Sequence, residues 1–92
     1  MNTPVNFEID KLLIEKGIDM PVSTTIAEVV MWLYKKHGIW VIVSHEISDL
    51  HQTEWFWIGV KNGEETASQY FGFNTPTEAY EAAIEYTLKN LI

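Results

Sequence analysis

The segment HEISDLH, residues 45–51, concentrates the side chains that could bind a metal ion. Its candidate ligands are His45, Glu46, Asp49 and His51, and zinc and other divalent ions bind imidazoles and carboxylates. The spacing is not that of a zinc-protease helix, because position 49 holds an aspartate where the second histidine would stand, and the segment reads as a strand that enters a loop. The sequence therefore favours a solvated turn over a metal site, and we expect no metal and no cofactor.

The arrangements that enzymes use for nucleophilic or phosphate chemistry are missing from the sequence. No serine lies in a G-x-S-x-G pattern, and no glycine-rich loop leads into a helix as in nucleotide sites. Glu64 and Glu65 form a carboxylate pair, but they flank a turn rather than a cleft. His37 is expected to lie at the end of a helix and not to act as a base. We therefore expect that the protein is not an enzyme and has no catalytic residues.

Four aromatic residues form the one constellation that could carry function. They are Trp40, Trp55, Trp57 and Tyr70, and aromatic rings with few charges around them are typical of interface hot spots. The alternative is that the first helix covers this face of the sheet and makes it ordinary core, since a free first helix would leave its own apolar stripe in water. The set is therefore either a candidate interaction patch or a covered core face.

Residues 75–92 (TPTEAYEAAIEYTLKNLI) predict a C-terminal helix with a readable start and a buried face. Thr75 and Glu78 have the spacing of a capping box, and Pro76 falls at the first helical position, where its missing N–H costs nothing. Apolar residues recur at spacings of three and four, so one face is expected to pack on a core. The stripe consists of Tyr80, Ala83, Ile84, Thr87, Leu88 and Leu91.

A first helix is predicted near the start of the chain. Asn6 can cap it, it extends to about Lys16, and Gly17 lies where a left-handed C-terminal cap is needed. Its inner side is expected to consist of Phe7, Ile9, Leu12 and Leu13.

A second helix is predicted to begin at Thr25, which forms a capping box with Glu28, and to end at Gly38. Its buried stripe is expected to consist of Ile26, Val29, Val30, Leu33 and His37.

Three antiparallel strands are predicted between the second and third helices. Residues 39–47 and 54–61 are rich in β-branched and aromatic side chains. Asn62 and Gly63 then predict a tight type I′ hairpin, because both residues tolerate positive φ. The resulting register pairs Lys61 with Glu64, Val60 with Glu65, Ile58 with Ala67, Trp57 with Ser68 and Trp55 with Tyr70.

Side-chain alternation divides these strands into two apolar faces, and both need cover from helices or from a partner chain. In the hairpin, one face is expected to carry Phe56, Ile58, Val60 and Ala67, and the other Trp55, Trp57 and Tyr70. The first strand has Ile39, Val41 and Val43 on one side and Trp40 and Ile42 on the other. The expected fold is a single α+β domain, residues 1–92, in the order helix, helix, three-stranded antiparallel sheet, helix (ααβββα), with a two-layer core.

The charge and composition of the chain exclude several classes of partner. Thirteen acids oppose six lysines with no arginine, for a net charge of −7. This charge repels phosphates and anionic membranes, and the planar guanidinium fork that binds phosphate is missing. We therefore expect neither a nucleic-acid nor a membrane partner. The absence of cysteine excludes disulfides and thiolate sites, and the first fifteen residues do not resemble a signal peptide, so we expect a cytoplasmic protein.

From the second helix onward, the predicted αβββα order resembles the double-stranded-RNA-binding domain. Residues 78–83 (EAYEAA) carry the alanine pattern with which the last helix of that family begins. The positions at which the family has phosphate-contacting lysines hold Pro76, Thr77 and Tyr80. The resemblance covers about two thirds of the chain; it implies the topology, whereas these departures from the pattern argue against RNA binding.

The chain also resembles short uncharacterised proteins of gut Bacteroidales and their phages or mobile elements. The resemblance rests on KHGIW, residues 36–40, and on PTEAYEAAIEYTLKNLI, residues 76–92. It implies a bacterial or phage setting and no particular mechanism.

Three functions remain open from the sequence. The first is a small acidic protein-interaction module that binds a protein partner or forms a homodimer through the aromatic sheet face. The second is a phage-type decoy whose carboxylates imitate nucleic-acid phosphate and block a nucleic-acid-binding protein. This decoy requires the acids to lie on one surface, whereas solubility alone also explains the charge. The third is RNA binding through the αβββα core, which the charge disfavours.

Overall fold

Six elements form the fold, in the order that the sequence predicts. The structure is a computed structural model that describes residues 3–20, 24–47 and 53–92. The elements are α1 (Phe7–Glu15), α2 (Ile26–His37), β1 (Ile39–Ile47), β2 (Thr53–Lys61), β3 (Glu64–Phe73) and α3 (Pro76–Asn90). The predicted α+β class and ααβββα order are confirmed. No helix in these described residues is long and apolar enough to cross a membrane.

The three strands form one antiparallel sheet in the order β1-β2-β3. Asn62 and Gly63 join β2 to β3 with φ values of 55° and 79°, as a two-residue turn of type I′ needs. Lys61 lies opposite Glu64 and Val60 lies opposite Glu65, so the predicted register is confirmed for the first two pairs.

Beyond the turn, two irregularities shift the register of β3, and the predicted pairings there are wrong. Ala67 lies opposite Gly59 instead of Ile58, because Thr66 is an extra residue in β3. The Thr66 hydroxyl donates to the Gly59 carbonyl oxygen over 3.1 Å, which stabilises this bulge. Ala67 therefore shares a face with Trp57 and not with Ile58. The pairings farther along are Ile58 with Ser68, Trp57 with Gln69 and Trp55 with Phe73.

In the part of the chain that the structure describes, helices cover one face of the sheet and leave the other uncovered. α2 packs against β1, and α3 packs across all three strands. α1 packs against α3 and not against the sheet, so it covers neither sheet face. The main buried cluster lies between these layers and includes Ile9, Leu13, Ile26, Leu33, Val41, Trp57, Ile84 and Leu88.

α1 begins and ends as predicted, but one of its expected core residues is exposed. Asn6 Oδ1 accepts the Ile9 N–H over 2.9 Å, and Gly17 adopts the left-handed conformation with φ 68°. Phe7 is 79% exposed whereas Ile9 and Leu13 are buried. At about 100° per residue, Phe7 lies roughly 200° around the helix from Ile9, so the two cannot share a face.

The start of α2 is held by a capping box and by a pairing that the sequence does not reveal. The Thr25 hydroxyl accepts the Glu28 N–H, and the Glu28 carboxylate accepts the Thr25 N–H. In addition, Thr3 O accepts the Ile26 N–H over 2.9 Å, and Pro4 forms a short antiparallel bridge with Thr25. These contacts satisfy donors that would otherwise be unpaired at the helix start.

α3 keeps half of its predicted capping box. The Thr75 hydroxyl accepts the Glu78 N–H over 3.1 Å. The Glu78 carboxylate accepts the Asn74 N–H, one residue before the cap, and not the N–H of Thr75. The start of α3 is therefore tied to the end of β3.

Candidate functional site

The four aromatic residues predicted to form an interaction patch do not lie together on one face of the sheet. Trp57 lies opposite Val43, and Trp40 lies opposite Val60. Side chains alternate along a strand, so Trp40 and Trp57 lie on opposite faces. Trp55 shares the face of Trp57, and the side chain of Tyr70 lies outside the described part of the structure.

Trp57 belongs to the core and not to a docking surface. Its side chain is fully buried, and its ring centroid lies 5.6 Å from that of Tyr86 on α3. Its indole Nε1 donates to Gln69 Oε1 over 2.9 Å. The inner face, on which Trp57 lies, is thus a covered core face, with α2 and α3 as the cover instead of the first helix.

The candidate metal ligands are only partly described. His45 is exposed, and its ring centroid lies 4.6 Å from that of Trp55, its neighbour across the strands. Asp49 and His51 lie outside the described residues, as does the side chain of Glu46. Within the described part of the chain, no three potential metal ligands come together.

The other face of the sheet, the outer face, carries an apolar stripe that none of the helices in residues 3–20, 24–47 and 53–92 covers. We define the outer stripe as Trp40, Ile42, Phe56, Ile58 and Val60, with Ser44 completing the face on β1. Trp40 and Ile42 are each 39% exposed. Phe56, Ile58 and Val60 on the central strand are half-buried. The stripe is therefore most open along the edge strand.

Two residues of α2 extend this apolar surface around the edge of the sheet. The ring centroid of Tyr34 lies 5.1 Å from that of Trp40 in an edge-to-face contact. Tyr34 is 52% exposed and Met31 is 42% exposed. Met31, Tyr34 and Trp40 together line a shallow hollow. Tryptophan, tyrosine and methionine are enriched at the centres of interfaces, so this edge has the composition of a docking surface.

The sequence contained a signal for these two residues. The inward stripe of α2 is Ile26, Val29, Val30 and Leu33, which leaves Met31 and Tyr34 on the side where an exposed helix usually carries charges. Their spacing of three residues places them next to each other on that side.

A cleft on the same side of the molecule is lined by apolar residues of the outer stripe and by a lysine. Its lining residues are Tyr34, Lys35, Gly38, Trp40, Val60, Asn62 and Gly63. Lys35 and Lys36 both lie in the last turn of α2, at this end of β1. Glu54 lies on the outer face at the far end of β2, whereas Glu65, which pairs with Val60, lies on that face near the cleft. Lys35 is therefore the positive group of the cleft, with a carboxylate close to it on β3 and another at the opposite end of β2.

A separate hollow is lined by a lysine and a histidine whose polar or ring contacts lie within the protein. It is lined by Lys16, Ile18, Trp32, His37 and Ile92. Lys16 Nζ donates to the backbone oxygen of Ile92 over 3.3 Å, and the His37 ring lies edge-on to Trp32 at 5.0 Å. His37 is the last residue of α2, at the helix end that the sequence predicts.

The chain matches no protein-family model, no curated protein and no solved structure. The two resemblances stated from the sequence, to the double-stranded-RNA-binding domain and to the proteins of gut Bacteroidales, therefore remain expectations.

Proposed function

We propose that the chain is a non-enzymatic protein-interaction module that docks another protein surface on its outer stripe. The observation that carries the proposal is the exposure of Trp40 and Ile42 on the sheet face that the described helices leave uncovered, continued by Tyr34 and Met31 on α2. The docking surface is thus the face opposite to that of Trp57.

Burial of this surface would supply binding free energy. Covering a large apolar side chain fully contributes about 1.5–3 kcal/mol, and Trp40 and Ile42 each have 39% of their surface still exposed. Contiguous exposed apolar patches of more than a few hundred Å² are rare on monomeric soluble proteins and mark interaction sites. A partner that covers the stripe would remove it from water without any change in the core.

The acidic-decoy alternative has less support from the geometry. Glu64 begins β3, and Glu78 lies in the first turn of α3, just after the other end of that strand. At about 3.4 Å per residue, these ends are roughly 30 Å apart. Turn and helix acids therefore do not form the single acidic surface that a phosphate mimic needs.

RNA binding is the weakest alternative, because the net charge of −7 opposes the approach of phosphates. A filter-binding assay with double-stranded RNA at low salt tests it, and we expect no retention above that of an uncharged control protein.

The interaction module is tested by photo-crosslinking in the native host. A photoreactive amino acid replaces Ile42 in the outer stripe, and in a control chain it replaces Ile14, which is 78% exposed on α1. We expect a discrete covalent adduct from position 42 and none from position 14. Adding Trp40→Glu to the position-42 chain should abolish the adduct, since a carboxylate in the stripe makes docking costly.

Mass spectrometry of the adduct then identifies the bound protein. An adduct of equal yield from both positions, or none from position 42, would contradict the proposed function.

A further inference from the structure

We infer, building on the proposed function, that the protein docked on the outer stripe is a second copy of this chain. The outer faces of the two copies pack against each other about a two-fold axis that runs between the sheets and across the strands. The axis passes at the level of Ile42 and Ile58, which are paired on β1 and β2 of the same chain. In such an interface the same patch is used on both copies and must be complementary to itself. The outer face meets this requirement in shape and in charge.

The shape of the stripe is complementary about this axis. Along β1, Trp40 lies two residues before Ile42 and Ser44 lies two residues after it. The axis therefore places the Trp40 ring of one copy over the small Ser44 of the other. On β2 it places Val60 over Phe56. Large side chains thus face smaller ones, as the inner faces of packed sheets require.

The same axis brings one pair of opposite charges to the same level. Glu54 lies on β2 four residues before Ile58, and the axis places it over Asn62, which lies four residues after Ile58 in the other copy. Lys35 lines the cleft that contains Asn62, and Glu65, which pairs with Val60, lies on the outer face at the same end. At about 3.3 Å per residue, Glu54 and Asn62 are each roughly 13 Å from the axis, so Glu54 of each copy lies at the level of the cleft that Lys35 lines in the other.

The size of the face sets the strength of the dimer. Three strands spaced about 4.8 Å apart and about 30 Å long present roughly 450 Å² per copy, or roughly 900 Å² in total. This is below the roughly 1,600 Å² of a standard stable interface. Interfaces below about 1,200 Å² are typical of weak or transient complexes, so we expect a weak dimer.

The oligomeric state of the full chain across a range of concentrations tests the inference. Sedimentation equilibrium should show the 10.6 kDa mass doubling as the concentration rises. Ile42→Glu should leave a monomer, because the axis brings the two introduced carboxylates together. Ile14→Glu on α1 is the matched control and should dimerise like the unmodified chain. Circular dichroism confirms that both variants are folded.

A charge exchange tests the orientation of the two copies. Glu54→Lys and Lys35→Glu should each weaken the dimer by about five-fold, and the two changes together should restore it. Glu8→Lys changes the net charge as Glu54→Lys does, but on an exposed part of α1, and should not weaken the dimer. A double variant that is weaker than either single variant would overturn the proposed orientation.

A cross-link locates the two-fold axis without a destabilising change. Since the chain has no cysteine, Ile42→Cys introduces a single thiol that lies next to its own copy at the axis. A short bismaleimide should join two Ile42→Cys chains, and should not join two Ile14→Cys chains.

The outcomes separate this inference from the proposed function. A chain that stays monomeric while position 42 yields an adduct with a different protein would overturn the second copy but support the interaction module. A dimer that survives Ile42→Glu, with no position-42 adduct, would overturn both.

Discussion

The indole Nε1 of Trp57 donates to Oε1 of Gln69, its neighbour across the β2–β3 pairing, over 2.9 Å. Trp57 is fully buried whereas Gln69 is exposed. A residue at the surface therefore satisfies the polar atom of the largest side chain in the core. The packing of Trp57 under α3 depends on the register of β3, because only the shifted register places Gln69 opposite it.

Gln69→Ala should lower the free energy of unfolding by about 1 kcal/mol. It leaves the buried indole N–H without an acceptor, a loss of about 1–3 kcal/mol, and the exposure of position 69 lets water recover part of it. Gln69→Glu keeps an acceptor oxygen and serves as the control. Urea unfolding of the three chains measures the differences, and a Gln69→Glu chain as unstable as Gln69→Ala would refute the role of the hydrogen bond.

The helices were predictable because their signals are local. Thr25 and Gly38 bound α2, and each acts through groups within one turn of the helix. The prediction for Phe7 is wrong because the angle of a residue around the helix, and not its apolar character alone, decides whether it faces the core. The Asn62–Gly63 turn fixed the first pairs of β3 for the same local reason.

The faces of the sheet were less predictable because they depend on pairing between strands. No motif in residues 48–52 sets the register of β1 against β2 as an Asn-Gly pair would, so Trp40 was grouped with Trp57 although they lie on opposite faces. The bulge at Thr66 also has no clear sequence signal, and it moved Ala67 to the inner face. The grouping of Trp40 with Trp57 on one face is therefore wrong, and the place of Trp40 in a docking surface stays a prediction.

The contribution of the α2 capping box to the free energy of unfolding should be measurable with a single substitution. Thr25→Ala removes the hydroxyl that accepts the Glu28 N–H and should cost about 1 kcal/mol of unfolding free energy. Thr25→Ser keeps the hydroxyl and should stay within a few tenths of a kcal/mol of the parent chain. Thermal unfolding followed by circular dichroism compares them, and equal losses in both variants would show that the cap is not the cause.

The same substitution should lower stability at one glycine and not at another. At Gly59 an added Cβ would lie 3.6 Å from both the Trp57 ring and the Thr66 hydroxyl, an ordinary contact, and φ is not positive. Gly59→Ala should thus leave stability unchanged or raise it by up to about 1 kcal/mol, since alanine restricts the unfolded chain. Gly63→Ala should lose about 1–2 kcal/mol, because φ there is 79°. Urea midpoints that fall equally for both variants would contradict this difference.

Thr87 is a buried polar residue whose hydroxyl should contribute little net stability. Its Oγ1 donates to the Ala83 carbonyl oxygen over 2.7 Å, and its side chain is fully buried. That carbonyl also accepts the helical N–H four residues on, so removal of the hydroxyl leaves no backbone group unpaired.

Thr87→Val should therefore stay within about 0.5 kcal/mol of the parent chain or exceed it, because the change removes a hydroxyl without a change of shape. Thr87→Ala creates a cavity and should lose about 1–2 kcal/mol. Urea unfolding of both variants at one temperature separates the contribution of the hydroxyl from that of side-chain packing. If Thr87→Val lost as much as Thr87→Ala, the hydroxyl and not the packing of α3 would stabilise this position.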